Sequence, residues 1–146
     1  MKPRDFIQKL DETKVVRAIH AAERKTSGEI RVFVTNRNLG SDNAVKRAAA
    51  RFEKLGMAAT RDRNAVLLYF VPRANQFAII GDKGIHEKCG ETFWNDLASG
   101  IRAKLLKGLF TEAIVGAIEE TGDILGRYFP RRPDDRNELP DRVGRD

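Results

Sequence analysis

The stretch that decides the fold is AVLLYFVPRANQFAIIG, residues 65–81. Its first part, residues 65–71, is a near-continuous apolar run, which is typical of a strand covered on both faces of a sheet. Residues 76–81 form a second apolar run, and only the segment Pro72-Arg73-Ala74-Asn75 separates the two. A link this short predicts a hairpin, so the two strands are expected to be antiparallel.

The chain upstream of the hairpin predicts a further pairing of strands. In residues 29–35 (EIRVFVT), three apolar residues alternate with Arg31 and Thr35, and Phe33 makes the second face apolar too, which again indicates a sheet covered by helices on both sides. Between this strand and the hairpin, apolar residues recur at helical spacing over residues 42–55, with Asp42 as the expected N-cap. A strand, a helix and a strand in this order predict a right-handed crossover and a parallel pair.

Helical patterns surround these strands. The additional helices are predicted over residues 11–25, 85–89, 91–107 and 111–129. Residues 6–10 are interpreted as a turn that packs on the same core. The predicted fold class is therefore α/β: a three-layer sandwich in which a mixed β-sheet of three to four strands is flanked by four to five helices.

The end of the chain differs from the rest in composition. Residues 1–130 are predicted to form one α/β domain and residues 131–146 (RRPDDRNELPDRVGRD) a charged C-terminal tail. Leu139 and Val143 are the apolar residues of this tail, and they are its candidate docking points. The sequence leaves docking and disorder of the tail equally open.

Composition excludes several classes of protein. A length of 146 residues suits one domain, and the single cysteine, Cys89, excludes a disulfide framework and a cysteine-based metal cluster. The longest apolar run, residues 65–71, is far shorter than the roughly 20 residues of a membrane-spanning helix. The N-terminus has no hydrophobic signal region. We therefore expect a cytoplasmic protein without a transmembrane segment.

The chain has a net charge of +6, and its excess of positive charge lies wholly within residues 1–80. The basic residues of the helix predicted over 42–55 lie opposite or beside its apolar stripe, where a solvated face belongs. No aromatic residues alternate with them to stack on bases. We therefore expect no specific binding of nucleic acid.

Topology brings three segments of the chain to one end of the sheet. Parallel strands begin at the same end, and a strand antiparallel to the second one ends there. Residues 27–29, 60–64 and 81–87 are therefore expected to meet. Their oxygen-bearing side chains are candidate ligands for Ca²⁺ or Mg²⁺, which prefer such ligands. These candidate metal ligands are Glu29, Asp62, Asn64, Asp82 and Glu87.

Other interpretations of this end stay open. Arg61, Arg63 and Lys83 could bind an anion without a metal, and Asp82 and His86 are the candidate catalytic residues, since a histidine titrates near neutral pH. A purely structural interpretation competes with both. In it, Asp82 caps the short helix, Asp62 pairs with Arg61 or Arg63, and Glu87 is solvated.

Several motifs in this order resemble the TPM domain family. They are TSGEIRV (26–32), RNAVLLY (63–69), GDKGIHEK (81–88), Phe93-Trp94 and FPRRPDDRNELPD (129–141). The ending resembles that of short soluble bacterial members. The resemblance implies an α/β sandwich, divalent-cation binding and acid phosphatase activity. Where many members have Asp-Asn-Gly before the second strand, this chain has Arg63-Asn64-Ala65, with Asp62 one place earlier.

The expected function is binding of a divalent cation, Ca²⁺ or Mg²⁺, or of an anionic ligand, at this end of the sheet. Weak metal-dependent phosphatase activity is expected to accompany it. The alternative is a non-catalytic interaction module that binds an unidentified protein through its helices or its tail.

Overall fold

The computed structural model of the chain describes residues 3–133 and 141–146. Its elements are α1 (Pro3–Lys9), α2 (Glu12–Glu23), β1 (Glu29–Val34), α3 (Ala44–Lys54), β2 (Ala65–Val71), β3 (Gln76–Gly81), α4 (Lys83–His86), α5 (Glu91–Leu106), α6 (Phe110–Tyr128) and β4 (Gly144–Arg145). Single-turn 3-10 helices lie at Met57–Ala59 and Pro72–Ala74. None of the described helices is long and apolar enough to cross a membrane.

The sheet is mixed and has the order β3-β2-β1-β4. β2 and β3 form the expected antiparallel hairpin, and β1 runs parallel to β2 with Glu29 opposite Ala65. β4 adds to the free side of β1 in parallel, with Gly144 opposite Phe33. The fold class predicted from the sequence is therefore confirmed, with four strands in the described residues.

Two helical layers cover this sheet. Val32, Val66 and Leu68 pack toward α2, α5 and α6, whereas Phe33 and Leu67 pack toward α3. Every residue of β1 and β2 is buried. The apolar run of β2 lacks polar alternation because both faces of the strand are covered, whereas β1 carries Glu29 and Arg31 at alternate positions although both are buried.

Two local predictions need correction. The described residues contain six α-helices rather than four or five, because residues 3–9 form a helix instead of a turn. Phe6 is fully buried there, and its ring centroid lies 5.3 Å from that of Phe110. The N-cap of α3 is Asn43, whose side chain accepts a hydrogen bond from the Lys46 N–H. Asp42 instead pairs with Arg47 at 2.9 Å.

The end of the tail docks on the domain. Val143 is buried in the same core as Val32 and Val34, and residues 144–145 pair with β1. Asp146 accepts a hydrogen bond from Arg51 at 2.8 Å. Docking is thus found for residues 141–146, while Leu139, the other candidate docking point, lies outside the described residues.

Candidate functional site

Three segments meet where β1 and β2 begin and β3 ends, as the topology predicts. The Asp82 N–H donates to the Ala65 carbonyl, and the Gly84 N–H donates to the Arg63 carbonyl, both at 3.0 Å. A Cβ at Gly84 would lie 2.6 Å from the Arg63 carbonyl oxygen, so no larger residue fits. The start of α4 is therefore held tightly against the loop that precedes β2.

Asp82 is buried, and both of its carboxylate oxygens are engaged. Oδ2 accepts from the Arg63 Nε at 2.7 Å, and Oδ1 accepts from the Arg63 Nη2 at 2.8 Å. Oδ1 also accepts from the Lys83 N–H at 2.8 Å, which makes Asp82 the N-cap of α4. The carboxylate of Asp82 raises the pKa of Arg63 through this hydrogen-bonded pair. Asp82 thus has the capping role that the structural interpretation proposed.

Asp62, Ser27 and Asn64 form a chain of oxygen-bearing side chains beside this pair. The Ser27 hydroxyl donates to Asp62 Oδ2 at 3.4 Å and accepts from Asn64 Nδ2 at 3.2 Å. Asn64 is only 1% exposed, and its Oδ1 is buried without a hydrogen-bond partner among the described residues. An acceptor left in this state is unusual, because nearly all buried polar atoms have a partner.

Arg132 neutralises Asp62. Its Nη2 lies 2.5 Å from Asp62 Oδ2, and both side chains are partly exposed. Asp62 is therefore paired with the chain that follows α6, whereas the neighbouring Arg63 is paired with Asp82.

Glu29 contacts a different carboxyl cluster. It hydrogen-bonds to Glu23 at the end of α2, and Glu23 also hydrogen-bonds to Asp141. Burial first, and then these two neighbours, raise the pKa of Glu23 to about 11, so Glu23 is protonated at neutral pH. Its Oε2 accepts a hydrogen bond from the Ile30 N–H at 2.9 Å.

The remaining predicted residues lie at the surface. Glu87, the C-cap of α4, is exposed, as are Arg61 and Lys83. His86 is also exposed, with its ring centroid 5.4 Å from that of Trp94. Across the described residues, no three Asp, Glu, His or Cys side chains are grouped so that they could hold a metal ion. The five predicted ligands therefore do not form one cluster: Asp62 and Asn64 are linked through Ser27, while Asp82 is bound to Arg63 and Glu29 to Glu23.

Sequence reasoning missed two residues of this site. Ser27 lies beside a helix end, where turn chemistry explains a serine equally well. Arg132 is 70 residues from its partner Asp62 in the chain, and no local spacing connects them. The only sequence signal for Ser27 is its place directly before Gly28-Glu29 at the start of a strand.

Known proteins share the fold of this chain. The model of the TPM domain matches residues 1–124, a range that ends before Arg132. The NMR structure of the BA42 protein from the psychrophilic bacterium Bizionia argentinensis is similar to this chain. The TM-score is 0.85 at 36% sequence identity, with 92% of each chain covered. No curated protein matches the chain.

Proposed function

We propose that this chain, which belongs to the TPM domain family, binds a divalent cation, Ca²⁺ or Mg²⁺, where Ser27, Asp62 and Asn64 meet. The observation that carries the proposal is the buried Oδ1 of Asn64, which has no hydrogen-bond partner in the described part of the chain. A buried acceptor in this state loses its interaction with water and gains nothing in return. Coordination of a cation would remove that cost.

The donor set at this point suits a hard cation. It consists of a hydroxyl, a carboxylate and an amide oxygen, which are ligands that Ca²⁺ and Mg²⁺ accept. Asn64 now faces Ser27 with its Nδ2, so coordination requires its amide to turn, and the cation has to compensate the loss of the Nδ2–Ser27 hydrogen bond. With so few protein ligands, water would complete the coordination shell, so we expect a weak site with a Kd of about 10⁻⁴ to 10⁻³ M.

Arg132 supplies a charge that competes with the cation. Its guanidinium already neutralises Asp62, so cation binding would require this contact to loosen. The pair is partly exposed, with 43% of the Arg132 side chain accessible. Exposed pairs of this kind contribute about 0.2–1 kcal/mol. Removal of Arg132 should therefore strengthen cation binding by about 1.4- to five-fold.

The phosphatase activity implied by the family resemblance is a second part of this proposal. When bound, a divalent cation supplies a Lewis acid that polarises a phosphoryl oxygen. Arg61, in the loop before β2, and Lys83, the first residue of α4, are both exposed, and they would attract the anionic substrate. Arg63 is occupied by Asp82, so we assign it to holding the loop rather than to binding substrate.

An NMR titration with CaCl₂ and with MgCl₂ tests the cation site directly. We expect saturable shifts in the amides of residues 62–64 and in the side-chain amide of Asn64. Asp62→Asn should weaken binding at least about ten-fold, because the only carboxylate of the set is lost. Glu119→Gln, which removes an exposed carboxylate on α6, is the matched control and should leave the affinity unchanged.

The Arg132→Ala variant distinguishes binding of the cation at Asp62 from a general attraction of cations to the protein. Arg132→Ala should tighten binding, whereas Arg127→Ala, at an exposed position of α6, should not. Absence of saturable shifts at about 10 mM of either metal, well above the expected Kd, would remove the proposal. Metal-dependent hydrolysis of a generic phosphomonoester, measured with the same variants, tests the enzymatic part.

The interaction-module alternative needs a different test from simple truncation of the tail. Residues 141–146 are part of the chain's own sheet and core, so their removal is expected to disturb the fold. Loss of a partner in such a truncated protein would therefore be no evidence for binding through the tail.

A further inference from the structure

Arg31 is a buried cation at the centre of β1. Only 5% of the residue is exposed, and its Nε is buried without a hydrogen-bond partner among the residues that the structure describes. Burial lowers the pKa of Arg31, and the charge of Arg142 lowers it further. A guanidinium stays charged at all ordinary pH values, so this burial is costly unless an anion compensates it.

Arg142 lies beside Arg31 for a reason of strand register. β4 runs parallel to β1 with Gly144 opposite Phe33. Arg142 precedes β4, and continuation of this register by two positions would bring it alongside Arg31, in agreement with the effect of its charge on Arg31. Side chains alternate along a strand, and residues two apart therefore share a face. A Cβ on Gly144 would collide with the ring of Phe33, which shows that these neighbours point to the same side. The two arginines are thus expected on that side as well.

The carboxylates nearest to this pair in the chain have other partners. Glu29 hydrogen-bonds to Glu23, which carries a proton itself. Asp141 lies 3.2 Å from the His20 Nε2, and Asp146 lies 2.8 Å from Arg51. These contacts engage Glu23, His20 and Arg51, whereas the charge of Arg31 is opposed by the like charge of Arg142.

We propose that Arg31 and Arg142 bind a small oxyanion, with inorganic phosphate or a phosphomonoester as the ligand class. A guanidinium donates two parallel hydrogen bonds to such a group, and a tetrahedral oxyanion has enough acceptors for two guanidiniums. Arg31 is fixed by its strand and provides a rigid donor. Arg142 is exposed, so it provides the side from which the anion enters.

The arginine pair is distinct from the proposed cation site because it uses different residues and needs no cation. The test is a phosphate titration of the full chain in buffer free of divalent metals, followed by the Nε–H resonance of Arg31. We expect a saturable shift of this resonance, and a rise in Tm with phosphate concentration because binding stabilises the folded state. Glycerol 3-phosphate, used in a parallel titration, distinguishes free phosphate from a phosphoryl group on a larger molecule.

Matched variants assign the effect to the two arginines. Arg142→Gln should weaken phosphate binding by about ten-fold or more, since it removes charge-assisted hydrogen bonds. Arg145→Gln, an arginine of the same tail that pairs with Glu12, should leave it unchanged. Arg31→Gln removes the buried charge and should abolish the dependence of Tm on phosphate without lowering Tm in its absence, a result that a purely structural arginine would not produce.

The opposite results would overturn the proposal. They are a linear shift without saturation, an unchanged phosphate affinity in Arg142→Gln, or a phosphate-dependent Tm that persists in Arg31→Gln. The Asp62→Asn variant distinguishes failure of one proposal from failure of the other, because it should weaken cation binding at least about ten-fold and leave phosphate binding unchanged.

Discussion

The two edges of the sheet are finished in opposite ways. At the β1 edge, the Glu23 carboxyl accepts the Ile30 N–H, and residues 144–145 pair with Phe33 and Val34. At the β3 edge, no strand of the described residues pairs with the outer side. The Asp82 N–H donates to the Ala65 carbonyl of β2. Since alternate residues of an antiparallel strand point their backbone groups toward the partner strand, the N–H and C=O groups of Phe77 and Ile79 point away from β2.

The two edges also differ in the kind of residues that surround them. Closing the β1 edge buries ionisable groups, among them Glu23, Glu29 and Arg31. The β3 edge instead borders an open groove of about 540 Å³ that is lined by apolar residues such as Phe77, Ile79 and Trp94 and by polar ones, among them Glu91 and Arg102. Because residues 144–145 cover the β1 edge, the stability of the protein depends on buried charges that lie more than 100 residues before this tail in the sequence.

The largest expected effect comes from breaking the closed edge at Val143. This residue is 5% exposed and packs in the main core, so Val143→Asp would bury a charge without a partner. We expect a loss of about 3 kcal/mol or more in the free energy of unfolding, measured by urea denaturation. Val45→Asp, at a valine of α3 that is 61% exposed, is the control and should cost less than about 0.5 kcal/mol. Equal losses would mean that the tail does not contribute to the core.

Removing the side chain that covers the Ile30 N–H should have the next largest effect. Glu23→Ala leaves this buried donor unpaired, and such a loss costs about 1–3 kcal/mol. Glu23→Gln keeps a neutral acceptor in place and should cost much less at pH 7. If the glutamine variant were as unstable as the alanine variant, the residue would act as a carboxylate and not as a protonated acid.

The raised pKa of Glu23 predicts that the free energy of unfolding depends on pH. The pKa of this carboxyl group is about 11 in the folded protein and near 4.5 in the unfolded chain, so the folded state binds the extra proton between these values. Its stabilising contribution is therefore fully present below pH 4.5 and is lost as the pH rises toward 11. Wild-type stability should fall between pH 6 and 9 with a slope of up to about 1.4 kcal/mol per pH unit relative to Glu23→Gln. Parallel curves for the two proteins would contradict the raised pKa.

The smallest effect is expected from the surface contacts of the closed edge. Arg145 and Glu12 lie 3.1 Å apart, but both side chains are more than 40% exposed. Arg145→Ala should therefore change the free energy of unfolding by no more than about 0.5 kcal/mol. The measurement is repeated in 0.5 M NaCl, where exposed ion pairs are screened. If Arg145→Ala lowered the free energy of unfolding by more than this amount there, Arg145 would stabilise β4 through contacts other than its ion pair with Glu12.

The sequence predicted the features that depend on neighbouring residues. The hairpin of residues 65–81 and the crossover from residues 29–35 follow from apolar runs and short links, and the meeting of residues 27–29, 60–64 and 81–87 follows from that topology. The α1 helix escaped prediction, and docking of the tail at Val143 was left open against disorder, because both features depend on distant partners. Phe6 packs against Phe110, and Val143 reaches the core only after the rest of the sheet exists.

The position of the candidate site could be predicted from the sequence, but the ion pairs that its residues form could not. Proximity in sequence favoured a pair between Asp62 and Arg61 or Arg63, yet Arg63 binds Asp82, and Asp62 binds Arg132. Arg63 adopts a positive φ of 52°, and this backbone conformation is not evident from the residue type. The choice of partner thus depends on loop geometry that spacing alone does not determine.

Native-state hydrogen exchange at Ile30 and Ile79 tests the central claim most directly. Both amides belong to strands of one sheet, but only that of Ile30 is covered, by the carboxyl of Glu23. We predict strong protection of the Ile30 amide, fast exchange of the Ile79 amide, and selective loss of protection at Ile30 in Glu23→Ala. Equal protection of the two amides in the wild type would contradict the account of one closed edge and one open edge.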